Sequence, residues 1–190
     1  LHTRSTFSFT FGRWDARIRT QPVNGPFAAV WALSEQAHDH KVGRPMSGRI
    51  DLFEMRTAWN ITPSTLHFQN HHGDNALSYH DLDILVDEWH IDSMEWTSDH
   101  ISFSHDGKKM GKCDKPEWQS QDNWPYNEKN KFYLIVNNAM SSCWGTVPDL
   151  DLKEHVLAVD WISVSKLAHD APTPQYFLPT LSVVVGGVFF

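Results

Sequence analysis

Two cysteines, Cys113 and Cys143, are all that the 190 residues contain, too few for a disulfide-dense scaffold. A chain of this length buries roughly 70% of the surface that its unfolded form exposes, so a core needs no covalent framework. Basic residues are in the minority, 16 against 23 acidic ones for a formal net charge of -7. Without a Lys/Arg cluster nothing offers the footprint that a phosphate backbone requires, and nucleic acid is not an expected partner. No run reaches the roughly 18 apolar residues of a membrane span. A leader pattern at the N-terminus is missing too, but the chain opens at Leu1 already in a strand-like segment and reads as cut from something longer, so that absence weighs little.

Long stripes of 3.6-residue period are scarce as well. Short β-branched or aromatic runs recur instead between turn signals: Ser5 to Phe11, Phe27 to Leu33, Ile50 to Met55, Thr65 to Gln69, Ile101 to His105, Phe132 to Asn137 and Val156 to Val164. These spacings predict an all-β sandwich as one domain. Phe7, Phe9 and Phe11 alternate with small hydroxyl residues and should share one strand face. Asp106-Gly107 marks a tight hairpin turn. Gly111 to Asn130 is polar, carries Pro116 and Pro125, and reads as a long loop of the kind where sites sit. Beyond Lys166 come Pro172, Pro174 and Pro179, then an apolar run from Leu181 to Phe190, either a frayed strand at a chain end or the start of a hydrophobic anchor.

Chemistry concentrates in Ser47-Gly48-Arg49-Ile50-Asp51-Leu52-Phe53-Glu54-Met55, where charges interrupt a strand-like run. Arg49 and Asp51 must share a face. Glu54 falls on the opposite one by alternation, unless a one-residue bulge returns it to theirs and lines three charged groups on one surface. The alternative is an ordinary ion pair on a solvated strand.

The order of motifs resembles glycoside hydrolase family 16, the laminarinase and lichenase group, over most of the chain. Phe11-Gly12-Arg13-Trp14-Asp15-Ala16-Arg17 looks like the family's tyrosine-glycine-arginine-phenylalanine-glutamate-alanine-arginine strand, and Gly25-Pro26-Phe27-Ala28-Ala29-Val30-Trp31 like its glycine-tryptophan-proline-alanine-phenylalanine-tryptophan strand. Gly48 to Glu54 falls where the family carries glutamate-x-aspartate-x-x-glutamate. Thr65-Leu66-His67, Trp89-His90, Glu95-Trp96, the Asp106-Gly107 turn, Trp124-Pro125, Phe132 to Ala139 and Val159-Asp160-Trp161 continue the order. The two residues between Asp51 and Glu54 match the laminarinase-like branch.

The resemblance implies a concanavalin A-like β-jelly roll of two antiparallel sheets over residues 1–166, lacking its first strands, with 167–190 as a tail. The lost strands should leave an unpaired edge. It also implies a concave cleft for β-1,3 or mixed-linked glucan, no required cofactor, a monomer, and an extracellular or cell-surface location. Membrane attachment would follow only if the C-terminal apolar run continues. The family cleaves with retention, using a carboxylate nucleophile and a second carboxyl as acid then base, roughly 5 to 5.5 Å apart. Carried over by position, Glu54 is the acid/base, Asp51 the tuning carboxylate, and Arg49 stands where the nucleophile belongs. A guanidinium stays protonated and only donates, so it cannot attack an anomeric carbon. It should also hold Asp51 and Glu54 ionised.

Trp31, Trp118, Trp124 and Trp144 are candidate sugar platforms at strand ends or loops, whereas Trp96 and Trp161 read as core. Arg13, His67 and Asn137 lie where the family places cleft polar groups, with an ordinary strand role as the alternative for each. Asp160 matches a ligand of the family's structural calcium. His71-His72 with Asp74, and His38-Asp39-His40, are more simply solvated loops than metal sites. Cys113 and Cys143 form either a disulfide or two thiols. The resulting expectation is a glucan-directed domain that retains binding and has lost hydrolysis, with an active endo-β-glucanase and a protein-interaction sandwich as the competing readings.

Overall fold

The computed structural model describes residues 1–38, 42–43, 46–56, 61–70, 73–79, 87–117, 124–140, 152–167, 176–177 and 183–186. Twelve strands and one helical turn occur among them: β1 (Gly12–Thr20), β2 (Pro26–Ser34), α1 (Glu35–His38), β3 (Arg49–Glu54), β4 (Ser64–Asn70), β5 (Gly73–Tyr79), β6 (His90–Trp96), β7 (His100–His105), β8 (Lys108–Asp114), β9 (Phe132–Met140), β10 (Val156–Ser165), β11 (Tyr176–Phe177) and β12 (Val183–Gly186). They form two antiparallel sheets, β5-β4-β3-β2-β9 and β11-β10-β1-β6-β7-β8, with β12 also paired to β10. This is the two-sheet sandwich that the strand pattern predicts, and it agrees with the jelly roll that the resemblance implies.

Period-two alternation decides which face each strand buries. In β1, Trp14, Ala16 and Ile18 enter the core while Arg13, Asp15, Arg17 and Arg19 face outward. Ala28, Val30 and Ala32 of β2, with Ile50 and Leu52 of β3, meet them from the five-stranded sheet. An aromatic cluster closes one region of the core: Trp96 takes Phe9, Phe11, Tyr126 and Phe132 edge-on at 5.2–6.3 Å between ring centroids. Such T-shaped pairs add about 0.5–1.5 kcal/mol each beyond the area they bury.

The structure departs from the sequence reading in four places. Ser5 to Phe11 is not a strand: Ser5 and Phe11 have φ of 66° and 59°, and only Phe9 pairs, with Phe132. The rings nevertheless end on one side, because Phe9 and Phe11 both reach Trp96. The edge of β9 is not bare either. The Leu1 amino group donates to the Val136 carbonyl at 2.8 Å, Val136 N–H returns a bond to Leu1, and Thr3 N–H donates to Leu134. Third, β8 occupies the start of the expected loop, a Lys-rich edge strand that the Asp106-Gly107 hairpin, both residues at positive φ, pairs with β7. Fourth, the end of that loop is buried at Trp124, Pro125, Tyr126 and Asn127.

Two pieces of the tail, β11 and β12, pair with β10. Trp161 is half-buried rather than core. Cys113 is a buried free thiol, its pKa pushed up to about 11 by desolvation and then by the Asp114 charge; Cys143 lies outside the described residues.

Candidate active site on the five-stranded sheet

Strand β3 bulges. Val30 of β2 pairs with Phe53, and the next residue, Trp31, pairs with Asp51, so Leu52 is the extra residue. Leu52 and Phe53 therefore both enter the core, and Glu54 returns to the face of Arg49 and Asp51. Such an insertion takes a residue out of the regular ladder; the Ser64 hydroxyl donates to the Leu52 carbonyl at 2.7 Å. Gly48 leads into the strand at φ 79°, packed beneath Pro125, Phe132 and Tyr126.

The three charged groups form one network. Arg49 Nε donates to Asp51 Oδ1 at 2.5 Å and Arg49 Nη2 to Glu54 Oε1 at 3.1 Å. Arg56 Nη2 donates to Glu54 Oε2 at 2.8 Å, and His67 Nε2 lies 2.8 Å from Asp51 Oδ2. Both oxygens of each carboxylate are thus engaged. Asp51 is 0% exposed and Glu54 1%. The Tyr126 hydroxyl lies 2.9 and 2.8 Å from the carbonyls of Arg49 and His67, sharing its proton between β3 and β4.

Trp31, Asn137 and His67 stand on the same face as this network. Trp31 Nε1 donates to Asn137 Oδ1 at 2.7 Å, Asn137 Nδ2 donates to the Phe27 carbonyl, and the Arg49 guanidinium carbon lies 4.6 Å from the centre of the Trp31 ring. The sheet therefore brings Arg49, Asp51, Glu54, Trp31, His67 and Asn137 together on one face.

The electrostatics of Glu54 correct the sequence reading. Desolvation raises its pKa, the Asp51 charge raises it further, and the opposing pull of Arg56 and Arg49 is smaller. Burial thus outweighs the arginines, and the Glu54 carboxyl holds its proton to a higher pH than a free glutamate, the direction that a general acid needs.

Two residues expected in the cleft are placed elsewhere. Arg13 lies on the outer face of the other sheet, bound to Asp15, Glu95 and Ser93. Trp124 is 1% exposed, packed edge-on against Phe68 and Tyr126 in the core, because its segment folds under the sheet. Asp160, matched to a calcium ligand in the sequence, accepts at Oδ2 from Arg17 at 2.5 Å. Trp118 and Trp144, like His71, His72, Asp39 and His40, lie outside the described residues. Sequence reasoning missed Arg56, Thr65 and Tyr126. Arg56 was legible, since it stands two residues from Glu54 as Arg49 does from Asp51; Thr65, 3.5 Å from Glu54 Oε2, and Tyr126 arrive only by folding.

Comparison with known proteins gives a consistent picture. The model of the glycosyl hydrolases family 16 matches residues 2–162. A glucan endo-1,3-beta-glucosidase A1 of Niallia circulans is 29% identical over 180 residues, 87% of this chain and 26% of that protein. A beta-1,3-glucan-binding protein of Penaeus monodon is 26% identical over 78% of this chain and 48% of its own length. The laminarinase catalytic domain of Thermotoga maritima superposes with a TM-score of 0.73 at 26% identity, covering 87% of this chain and 68% of that structure. The chain therefore spans between a quarter and a half of these two sequence relatives.

Proposed function

We propose, from the premise that the chain belongs to the glycosyl hydrolases of family 16, that its concave face binds β-1,3 or mixed-linked glucan and that Arg49 suppresses hydrolysis there. The carrying observation is the position of Arg49, which donates to both Asp51 and Glu54 and covers Trp31. Retention requires a carboxylate to attack the anomeric carbon. Arg49 has no lone pair for that step, while Asp51 is sealed from solvent with both oxygens engaged by Arg49 and His67. The raised pKa of Glu54 supports the acid half of the machinery remaining in place. The name of the Penaeus relative supports a glucan-binding role for this kind of chain. No cofactor enters the reading, and the partner is an extracellular or cell-surface polysaccharide.

The test is reducing-end release from a soluble β-1,3-glucan by the parent protein, Arg49→Glu and Glu54→Gln. An inert parent with activity gained in Arg49→Glu supports the proposal. Cleavage by the parent that Glu54→Gln abolishes overturns it in favour of an active endo-β-glucanase. That second reading draws on the raised proton affinity of Glu54 and needs a nucleophile other than Arg49. A tryptophan fluorescence that ignores the glucan removes both readings and leaves a protein-interaction sandwich.

A further inference from the structure

A second polar cluster lies far from Arg49 in topology, on the β6–β7 pair of the other sheet. The core-facing pairs of that hairpin run Trp96 with Ile101, then Met94 with Phe103, then Asp92 with His105. The apolar sequence thus switches to a buried acid–imidazole pair at the end of the sheet, His105 Nδ1 lying 2.8 Å from Asp92 Oδ1. His90, the first residue of β6, adds a second imidazole whose ring centroid is 4.9 Å from that of His105. Asp106, in the turn that follows β7, closes the group: its Oδ2 lies 2.7 Å from His90 Nδ1 and 3.6 Å from His105 Nε2, and its Oδ1 accepts from Ile91 N–H at 2.8 Å.

We propose that His90, His105 and Asp106 form a binding site for a divalent transition-metal ion of the zinc class. One ligand atom from each lies within 4.8 Å of the others. Ligands about 2.0–2.1 Å from a tetrahedral ion stand about 3.3–3.4 Å apart, so the 3.6 Å separation is already near the bound geometry, the 2.7 Å contact must open, and the two imidazole nitrogens, within 4.8 Å, need only a small side-chain adjustment. Asp92 behind His105 supplies the carboxylate that orients a metal-bound imidazole and fixes its tautomer. Charge argues the same way. Asp92 Oδ2 is buried without a hydrogen-bond partner among the described residues, and two carboxylates face two imidazoles. Two imidazoles and one carboxylate suit zinc, cobalt or nickel rather than calcium. Bound there, the ion ties the start of β6 to the β7–β8 turn.

The experiment titrates chelator-treated protein with zinc chloride by calorimetry, and with cobalt(II) by visible absorption, beside Asp106→Asn, His90→Gln and Asp92→Asn. Asparagine tolerates the positive φ of Asp106, 47°, so that variant keeps its turn. The expected result is one equivalent bound to the parent with a four-coordinate cobalt spectrum. Affinity should fall at least tenfold in Asp106→Asn and His90→Gln, and about 10–100-fold in Asp92→Asn, which touches no metal. Equal binding by the parent and both ligand variants places the ion on other histidines and overturns the proposal, as does no binding by the parent.

Discussion

The guanidinium of Arg49 lies across the ring of Trp31, its carbon 4.6 Å from the ring centre, while Asn137 holds the indole N–H. One residue thereby does three things: it neutralises Asp51, bonds Glu54 and covers the aromatic face that a sugar would use. A cation–π contact of this kind contributes about 0.5–2 kcal/mol, a modest barrier for a glucan chain that displaces or shares the guanidinium.

Removing the charge tests how far the network depends on Arg49. Arg49→Leu keeps much of the stem and leaves Asp51 buried with His67 alone. Losing one partner of a buried ion pair costs about 3–5 kcal/mol, and because Arg49 is itself partly exposed the lower end is expected, read from urea unfolding at pH 7. Arg49→Glu should also destabilise, less at pH 5 than at pH 7, because clustered carboxyls can then share protons. Stability unchanged in Arg49→Leu would mean that the buried carboxylates do not rely on it.

Glu54 predicts a pH dependence of stability. Its folded pKa lies above the ordinary 4.5 because burial disfavours the charge. The folded state therefore holds the proton more tightly than the unfolded chain. This contribution is fully present below the unfolded value and is lost as pH rises through the folded one. Glu54→Gln stays neutral throughout, so the stability difference between variant and parent should move in the variant's favour as pH rises above 4.5. A difference that moves in the parent's favour as pH rises would show that the arginines, not desolvation, control the carboxyl, and one independent of pH that the two effects cancel.

The two tryptophans that the sequence grouped together should separate in experiment. Trp124→Ala empties a fully packed position and should cost about 3–5 kcal/mol. Trp31→Ala, at a half-buried position on the face that carries Arg49, should cost less and abolish most of the fluorescence response to a β-1,3-glucan oligosaccharide. Loss of that response in a still-folded Trp124 variant, with Trp31→Ala unaffected, would reassign the sugar platform.

Gly48 positions the start of β3 by close approach. A Cβ there would lie 2.8 Å from Pro125 Cβ and 3.0 Å from Phe132 Cζ, at a φ of 79°. Overpacking of this kind costs about 1–3 kcal/mol and the left-handed backbone adds to it. Gly48→Ala should therefore lower the thermal midpoint by about 5 °C or more. An unchanged midpoint would mean that the buried Pro125–Tyr126 segment yields.

Much of the fold was legible because apolar alternation is a local property. Phe27 to Leu33, Ile50 to Met55, Ile101 to His105 and Val156 to Val164 each fall within or across an observed strand. Strands β6 and β8 escaped, since His90-Ile91-Asp92 and Lys108-Lys109 carry polar groups where the pattern asks for apolar ones; ladder pairing with neighbours, not composition, makes them strands.

At the site, the sequence by itself determined the unusual chemistry. An arginine two residues before Asp51 shares its face in any strand, and its guanidinium cannot be a nucleophile in any fold. Folding decided the rest. The Leu52 bulge returned Glu54 to that face, Thr65 came to it from β4, and burial overrode two arginines in setting its proton affinity. Folding also sent Arg13 to the opposite sheet and Trp124 into the core. Register and desolvation are sums over contacts from distant parts of the chain, and a local pattern of residues does not contain them.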